Sequence, residues 1–224
     1  MKLKGIIRNI AKKIVREIIY PIHCRMIRRR YGRIDDLTIL GINCIAGEIY
    51  NVFGCQFKTP TVNMAIEDDN FIKLCKNPDH YFSVDAEPYI ENYIEPNTNG
   101  ATFPLIKVDD IVIRAIHYEN CAQACECWNR RRTRVTSKRC IVANTWDLHD
   151  NRDLINELLA IDIPKVIYTD MQEFLGRKEF IVLNDKVYYK DQRGKVRPEL
   201  AYLYWYSWRF EHVFPSIYKW LKSI

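Results

Sequence analysis

Hydrophobic positions near the start of the chain follow a helical rhythm. Leu3, Ile6, Ile7, Ile10, Ile14 and Ile18 recur every three or four residues, and Lys4, Arg8, Lys12 and Arg16 form a separate row. This predicts an amphipathic helix over residues 3–19, apolar on one side and cationic on the other. Pro21 should end or kink it, and Arg25, Arg28, Arg29, Arg30 and Arg33 then lead through Gly32 into the next segment. From residue 37 the rhythm changes. Leu37–Ile42 is a short apolar, partly β-branched run suited to a buried strand, the Asn43-Cys44 pair reads as a turn, and a helix is expected from about residue 46. A helix over 67–76 follows, with Phe71, Ile72 and Cys75 on one face and Asp68 and Asp69 favouring its N-terminal end.

Farther along, residues 85–100 are polar and Pro-punctuated and read as loop. Ile111–Ile116 is an expected strand, 122–134 a helix, Cys140–Ala143 a strand, 153–159 a helix and Lys165–Tyr168 a strand. Phe180–Tyr189 reads as an antiparallel hairpin turning at Asn184-Asp185. Strands alternating with helices predict an α/β fold, a three-layer domain with a mixed, partly parallel sheet. The aromatic tail from Glu199, including Tyr202, Trp205, Trp208, Phe214, Tyr218 and Trp220, predicts two short helices with Pro198 and Pro215 near their starts. Such rings suit core filling better than sugar stacking.

A chain of 224 residues suits one core, so the expected organisation is a basic amphipathic arm (1–33) and a single α/β domain (34–224). Charge sharpens that division. Of the net +6, residues 1–33 carry +10 and the rest −4, so the basicity is local. This argues against a nucleic-acid enzyme and for an arm that meets an anionic membrane surface. The alternative is a helix docked on the domain with its charges solvated. No apolar run approaches the ~20 residues a bilayer span requires. The eight cysteines follow no secretory signal, which predicts reduced, mostly buried thiols in a cytoplasmic protein, peripheral at the inner membrane.

Candidate chemistry sits where the predicted strands end. Asn43 and Cys44 follow one strand, where open α/β sheets build ligand sites. Gly47 permits close backbone approach, and the next helix should offer free N–H groups to a phosphate. Cys44 would gain thiolate character there, with His117, at the end of another strand, as its base or as an isolated acid or base. Against this, a Cys in that setting is ordinarily buried. Tyr118, Trp128, Arg130 and Arg131 add a stacking surface and cations suited to a pyrophosphate, although the arginines cannot all share one helix side and some must be ordinary surface residues. Cys121, Cys125 and Cys127 with His117 have poor spacing for zinc, and Asp109-Asp110 suits a turn better than a metal, so no metal is assigned.

These segments resemble an uncharacterised bacterial family of exopolysaccharide-biosynthesis proteins. The matches are Asn43, Cys44, Gly47, Tyr50, Gly54, Thr59, Pro60 and Thr61 in one block, and Asp110, Ile111, His117, Tyr118, Ala124, Trp128, Arg130 and Arg131 in the other. They span roughly residues 36–170. Gly41-Ile42 and Ala46-Gly47 depart from the Ser-Asn and Gly-Gly of the pattern, and Cys121, Cys125 and Cys127 lie outside it. The resemblance implies a three-layer α/β fold and a part in surface-glycan assembly, but no established mechanism. The resulting expectation is a transferase of surface polysaccharide (exopolysaccharide or capsule) biosynthesis, using a phosphate-bearing or acyl donor on a glycan or lipid-linked sugar. His117 and Cys44 would be catalytic; Asn43, Gly47, Tyr118, Trp128, Arg130 and Arg131 would bind the donor. No cofactor is named. The alternative is a non-catalytic assembly or regulatory component whose motifs are fold determinants.

Overall fold

In a computed structural model, which describes residues 13–96, 101–182, 188–190, 196–198 and 214–224, four short strands form a wholly parallel sheet. These are β1 (Thr38–Gly41), β5 (Arg139–Asn144), β6 (Lys165–Thr169) and β7 (Phe180–Val182), in the order β1-β5-β6-β7. Side chains alternate across it. Ile39, Cys140, Val142, Val166 and Tyr168 face one core cluster, whereas Leu40, Ile141, Ala143 and Ile167 face the other. The first cluster is closed by α1 (Tyr20–Tyr31), α2 (Ile45–Phe53) and α7 (Phe214–Leu221) through Cys24, Ile27, Ile49, Phe53, Ile217 and Leu221. The second is closed by α3 (Asp68–Lys76), α4 (Pro78–Ser83) and α6 (Arg152–Ala160) through Phe71, Ile72, Phe82, Ile155 and Leu158. Helices on both faces explain why these strands read as continuous apolar runs.

A second sheet is antiparallel: β2 (Glu87–Ile94), β3 (Thr102–Val108) and β4 (Ile111–Arg114), covered by α5 (Cys121–Arg132). A short hairpin pairs β8 (Tyr188–Lys190) with β9 (Val196–Pro198). The α/β expectation therefore holds, with the parallel and antiparallel strands segregated into separate sheets. One extended segment joins them, since Ile66 N–H donates to Ile42 O (2.9 Å) while Ala65 bridges Arg114. That link carries the end of β4 to the end of β1.

Two local expectations are corrected. Residues 87–94, read as loop, form the exposed edge strand β2, which has no inward-facing alternation to reveal it and tolerates Pro88 at the rim. The hairpin expected over Phe180–Tyr189 is replaced by parallel β7, because Phe180 is buried and stacks on Phe174 at 4.1 Å; residues 183–187 lie outside those described. Pro198 ends β9, and the helix expected after it falls on residues 199–213, which lie outside those described. Of the aromatic tail, Tyr202, Trp205 and Trp208 lie outside the described residues, while Tyr218 fills the core against Phe53 and Tyr31.

Pro21 does not stop the first helix. A π-helical turn (Val15–Ile19) runs directly into α1, and this looser turn accommodates the ring and missing N–H of a proline one residue past the junction. Residues 1–12 of the predicted arm lie outside those described. The described part is fastened to the body: Cys24 and Ile27 are buried, and the Arg28 guanidinium donates to Val52 O (2.8 Å) and Asn51 O (3.0 Å), capping α2. Gly54, in the left-handed conformation at φ 63°, lies so close to that guanidinium that an added Cβ would sit 2.6 Å from its carbon.

Candidate functional site

The carboxyl ends of β1 and β5 lie side by side, and each carries an asparagine, Asn43 two residues past β1 and Asn144 as the last residue of β5. Asn43 Nδ2 donates to Asp147 Oδ2 at 2.7 Å, and Asn144 Nδ2 donates to the same oxygen at 2.8 Å. Both amides are fixed by a second bond, since Asn43 Oδ1 accepts from Ile45 N–H (3.0 Å) and Asn144 Oδ1 accepts from Asp147 N–H (2.7 Å). Asp147 itself rides on a pinned turn. Trp146 is anchored in one core cluster and Leu148 in the other, while Asp150 N–H donates to Thr145 O at 2.7 Å. Asp147 is thus held by two neighbouring strands with one oxygen doubly bonded, and Oδ1 accepts no hydrogen bond from the described residues.

Burial pushes the Asp147 carboxyl above the usual carboxylate range; the two asparagine donors, then Arg114 and His149, pull it part of the way back. Glu48 in the first turn of α2 is raised by burial too. The Cys44 thiol is pushed up to about 11, first by burial and then by the nearby Glu48 and Asp147 carboxylates. Helix termini lower a thiol only where other charges allow it. Here two acidic groups face the start of α2, so the expected thiolate character is reversed, and the expected open phosphate cradle is instead met by carboxylates.

Next to this clamp, Glu67, Asp68 and His149 bring one ligand-type atom each within 4.8 Å of one another. His149 Nε2 bonds Asp68 Oδ2 at 2.8 Å, and Glu67 pairs with Arg114, which also pairs with Glu95. Burial raises the Glu67 carboxyl, opposed by Arg114. Five non-glycine residues among those described have positive φ, and three of them, Asp68 (50°), His149 (56°) and Asp150 (52°), lie in the two segments that meet here. Left-handed backbone in bulky residues is strained and persists where surrounding structure enforces it, typically at functional sites. Glu67, Asp68 and His149 are the residues best placed to hold a divalent cation, with imidazole and carboxylate donors suited to Mg2+, Mn2+ or Zn2+.

The other sequence-predicted residues go elsewhere. His117 lies exposed in the turn after β4 and no hydrogen bond joins it to Cys44, because β4 ends at Arg114 and the chain turns before reaching the histidine. Trp128 is fully buried in contact with Phe82, its indole N–H aimed at Val84 O, so it offers no face for stacking. Arg131 is buried and donates to Val62 O (3.0 Å) and Tyr118 OH (2.5 Å); the Tyr118 hydroxyl also donates to Val62 O (3.0 Å). Val62 closes on Gly47, where an added Cβ would lie 2.9 Å from its Cγ1. Gly47, Val62, Tyr118 and Arg131 therefore brace the Thr59–Val62 loop, joining the two motif blocks. Arg130 is exposed and pairs with Glu126 one turn earlier. Tyr50 guards the edge of β1 that has no strand neighbour among the described residues: its hydroxyl donates to Leu37 O (2.7 Å) and accepts from Ile39 N–H (3.0 Å). Cys121, Cys125 and Cys127 do not converge on a metal; the Cys121 thiol donates to Leu105 O. Asp109 and Asp110 make the β3–β4 turn and bind His80, Lys73 and Tyr81.

Sequence reasoning missed Asn144, Asp147, Glu67, Arg114 and His149. The rule that singled out Asn43, a polar residue directly after a buried parallel strand, applies equally to Asn144. Nothing local marks the others, which are assembled by the Ala65–Ile66 link and the 145–150 turn. All of these lie within residues 14–191, the stretch matched by the model of a family described as a domain of unknown function, DUF1919. An uncharacterised protein from Haemophilus influenzae is 24% identical over 99 residues, which cover 44% of this chain and 44% of that protein, so the match spans less than half of the relative's length. With the family pattern running over most of its length, the chain belongs to the DUF1919 family.

Proposed function

We propose that this protein is a group-transfer enzyme of surface-polysaccharide assembly, working in the cytoplasm, with its reaction centre at the carboxyl end of the parallel sheet. The carrying observation is the clamp: Asn43 and Asn144 both donate to one oxygen of Asp147, whose pKa burial has raised and whose other oxygen is left for chemistry. A carboxylate oriented in this way, with raised basicity, suits removal of a proton from an acceptor hydroxyl. In the transfer step the acceptor oxygen bonds to the transferred group as that group's bond to a phosphate breaks. The phosphate departs with the bonding electron pair, and the acceptor proton passes to Asp147. The site is acidic, so an anionic donor must arrive with a cation, and Glu67, Asp68 and His149 are the residues to hold it. The link to polysaccharide rests on the motif resemblance.

The brace around Val62 supports the second reading, a non-catalytic assembly component, because much of the motif is used for packing. Thermal-shift screening separates the two. Nucleotide sugars, free nucleotides and acyl-coenzyme A are tested with and without Mg2+ or Mn2+. Stabilisation by a phosphate donor, enhanced by the cation, is expected; at a hundred times Kd the added stability is about 2.7 kcal/mol. No response across the panel would favour the assembly reading.

A further inference from the structure

Half of the large hydrophobic side chains exposed among the described residues lie on one line. Ile14 (45% exposed), Ile18 (54%), Ile22 (53%) and Met26 (63%) follow one another at four-residue steps through the π-turn and α1. In an uninterrupted α-helix such a row would drift around the axis. The wider ring of the π-turn takes up an extra residue, so the row stays on the outer side past Pro21. The opposite side of α1 is occupied, with Cys24 and Ile27 buried and Arg28 capping α2. The helix is therefore fixed to the body with its apolar row outward.

Cations flank that row. Lys13, Arg25 and Arg29 are exposed and make no ion pair with any described residue. Residues 1–33 together carry +10 against −4 for the remainder. The charge decides the occupant. A second copy of the chain meeting this face about a two-fold axis would set cation against cation, whereas an anionic bilayer offers headgroups to the arginines and acyl chains to the isoleucines and methionine. No described helix is long and apolar enough to cross a membrane, so the fit is to a helix lying in the interface plane.

We propose that the Ile14-Ile18-Ile22-Met26 face, flanked by Lys13, Arg25 and Arg29, docks the folded protein onto an anionic lipid surface. The binding surface is thus the described, body-anchored stretch from Lys13 onward, and it does not depend on the transferase reading.

The test is flotation of the full chain with vesicles of phosphatidylcholine alone or with about a third phosphatidylglycerol. Wild type should float with the anionic vesicles only, and recovery should fall as salt rises. The double variants I22E/M26E and R25E/R29E should each reduce partitioning about tenfold or more. Their circular dichroism and melting temperature should stay unchanged, because all four side chains are exposed. Absence of wild-type flotation, equal recovery of the variants, or a concentration-dependent dimer abolished by I22E/M26E would overturn the proposal. Asp147→Asn should float like wild type, so failure here leaves the catalytic reading to its own test.

Discussion

The clamp at Asp147 and the brace at Val62 are both polar constellations built from distant segments, yet they use their groups in opposite ways. In the brace the donors turn inward: Arg131 Nη1 and the Tyr118 hydroxyl converge on one carbonyl, and Gly47 lets Val62 close the gap. In the clamp two asparagines hold one oxygen of a carboxylate while the other is left open, and burial keeps the group away from its ordinary titration range. A polar motif is thus read by what its hydrogen bonds leave over. Groups fully satisfied internally stabilise the fold, and groups oriented but incompletely satisfied are available for chemistry.

The sharpest way to break this contrast is Asp147→Asn. Turnover, read as polymer output in the native cell and as product formation once a donor is identified, should fall about 10²- to 10⁴-fold, or about 3–5 kcal/mol of barrier. Stability should move the other way. A carboxyl whose folded pKa lies above its unfolded value binds its proton more tightly in the folded state. Its ionisation therefore opposes folding as pH rises from the usual carboxylate range through the raised pKa. The neutral amide escapes that penalty, so the melting temperature at pH 7 should hold or rise. A lower melting temperature with intact polymer would show Asp147 to be a structural residue.

On the brace side, Trp128→Ala should lose about 3–5 kcal/mol in urea unfolding, the usual result of emptying a fully buried indole site. Retained stability would mean that the Trp128 environment is looser than the contacts with Phe82 and Val84 indicate. A smaller effect is expected for Asn144→Ala. Removing a donor to the charged form raises the Asp147 pKa further, so the acid limb of kcat/KM should shift to higher pH. An unchanged limb would remove Asp147 from the rate-determining protonation. Smallest of all, His117→Ala should change stability by no more than about 0.5 kcal/mol and leave polymer output unaltered, since the side chain is exposed and bonded to nothing described. Loss of polymer would restore it as a catalytic candidate.

Much of the frame was legible along the chain. The strands at Leu37–Ile42, Cys140–Ala143 and Lys165–Tyr168 were visible because both faces of the parallel sheet are buried, which makes their sequences apolar throughout. Edge strand β2 was hidden for the opposite reason, having little buried surface to impose an alternation. The π-turn before Pro21 was also hidden, since proline chemistry alone says only that the helix must adjust.

Periodicity, charge and turn chemistry by themselves determined the α/β class, the cationic N-terminal region, and the placing of Asn43 at the carboxyl end of a strand, because each is a property of neighbours in sequence. Which polar residues meet was decided only in three dimensions. Asn144 and Asp147 reach Asn43 because β5 lies against β1, and Arg114 reaches Glu67 because the Ala65–Ile66 segment ties the two sheets together. Tyr118 and Arg131 were drawn to the Thr59–Val62 loop by the same kind of event, a loop carbonyl brought within reach. Hydrogen bonds act over a few ångströms and are indifferent to separation along the chain, so only the packed structure selects which of many polar residues become partners.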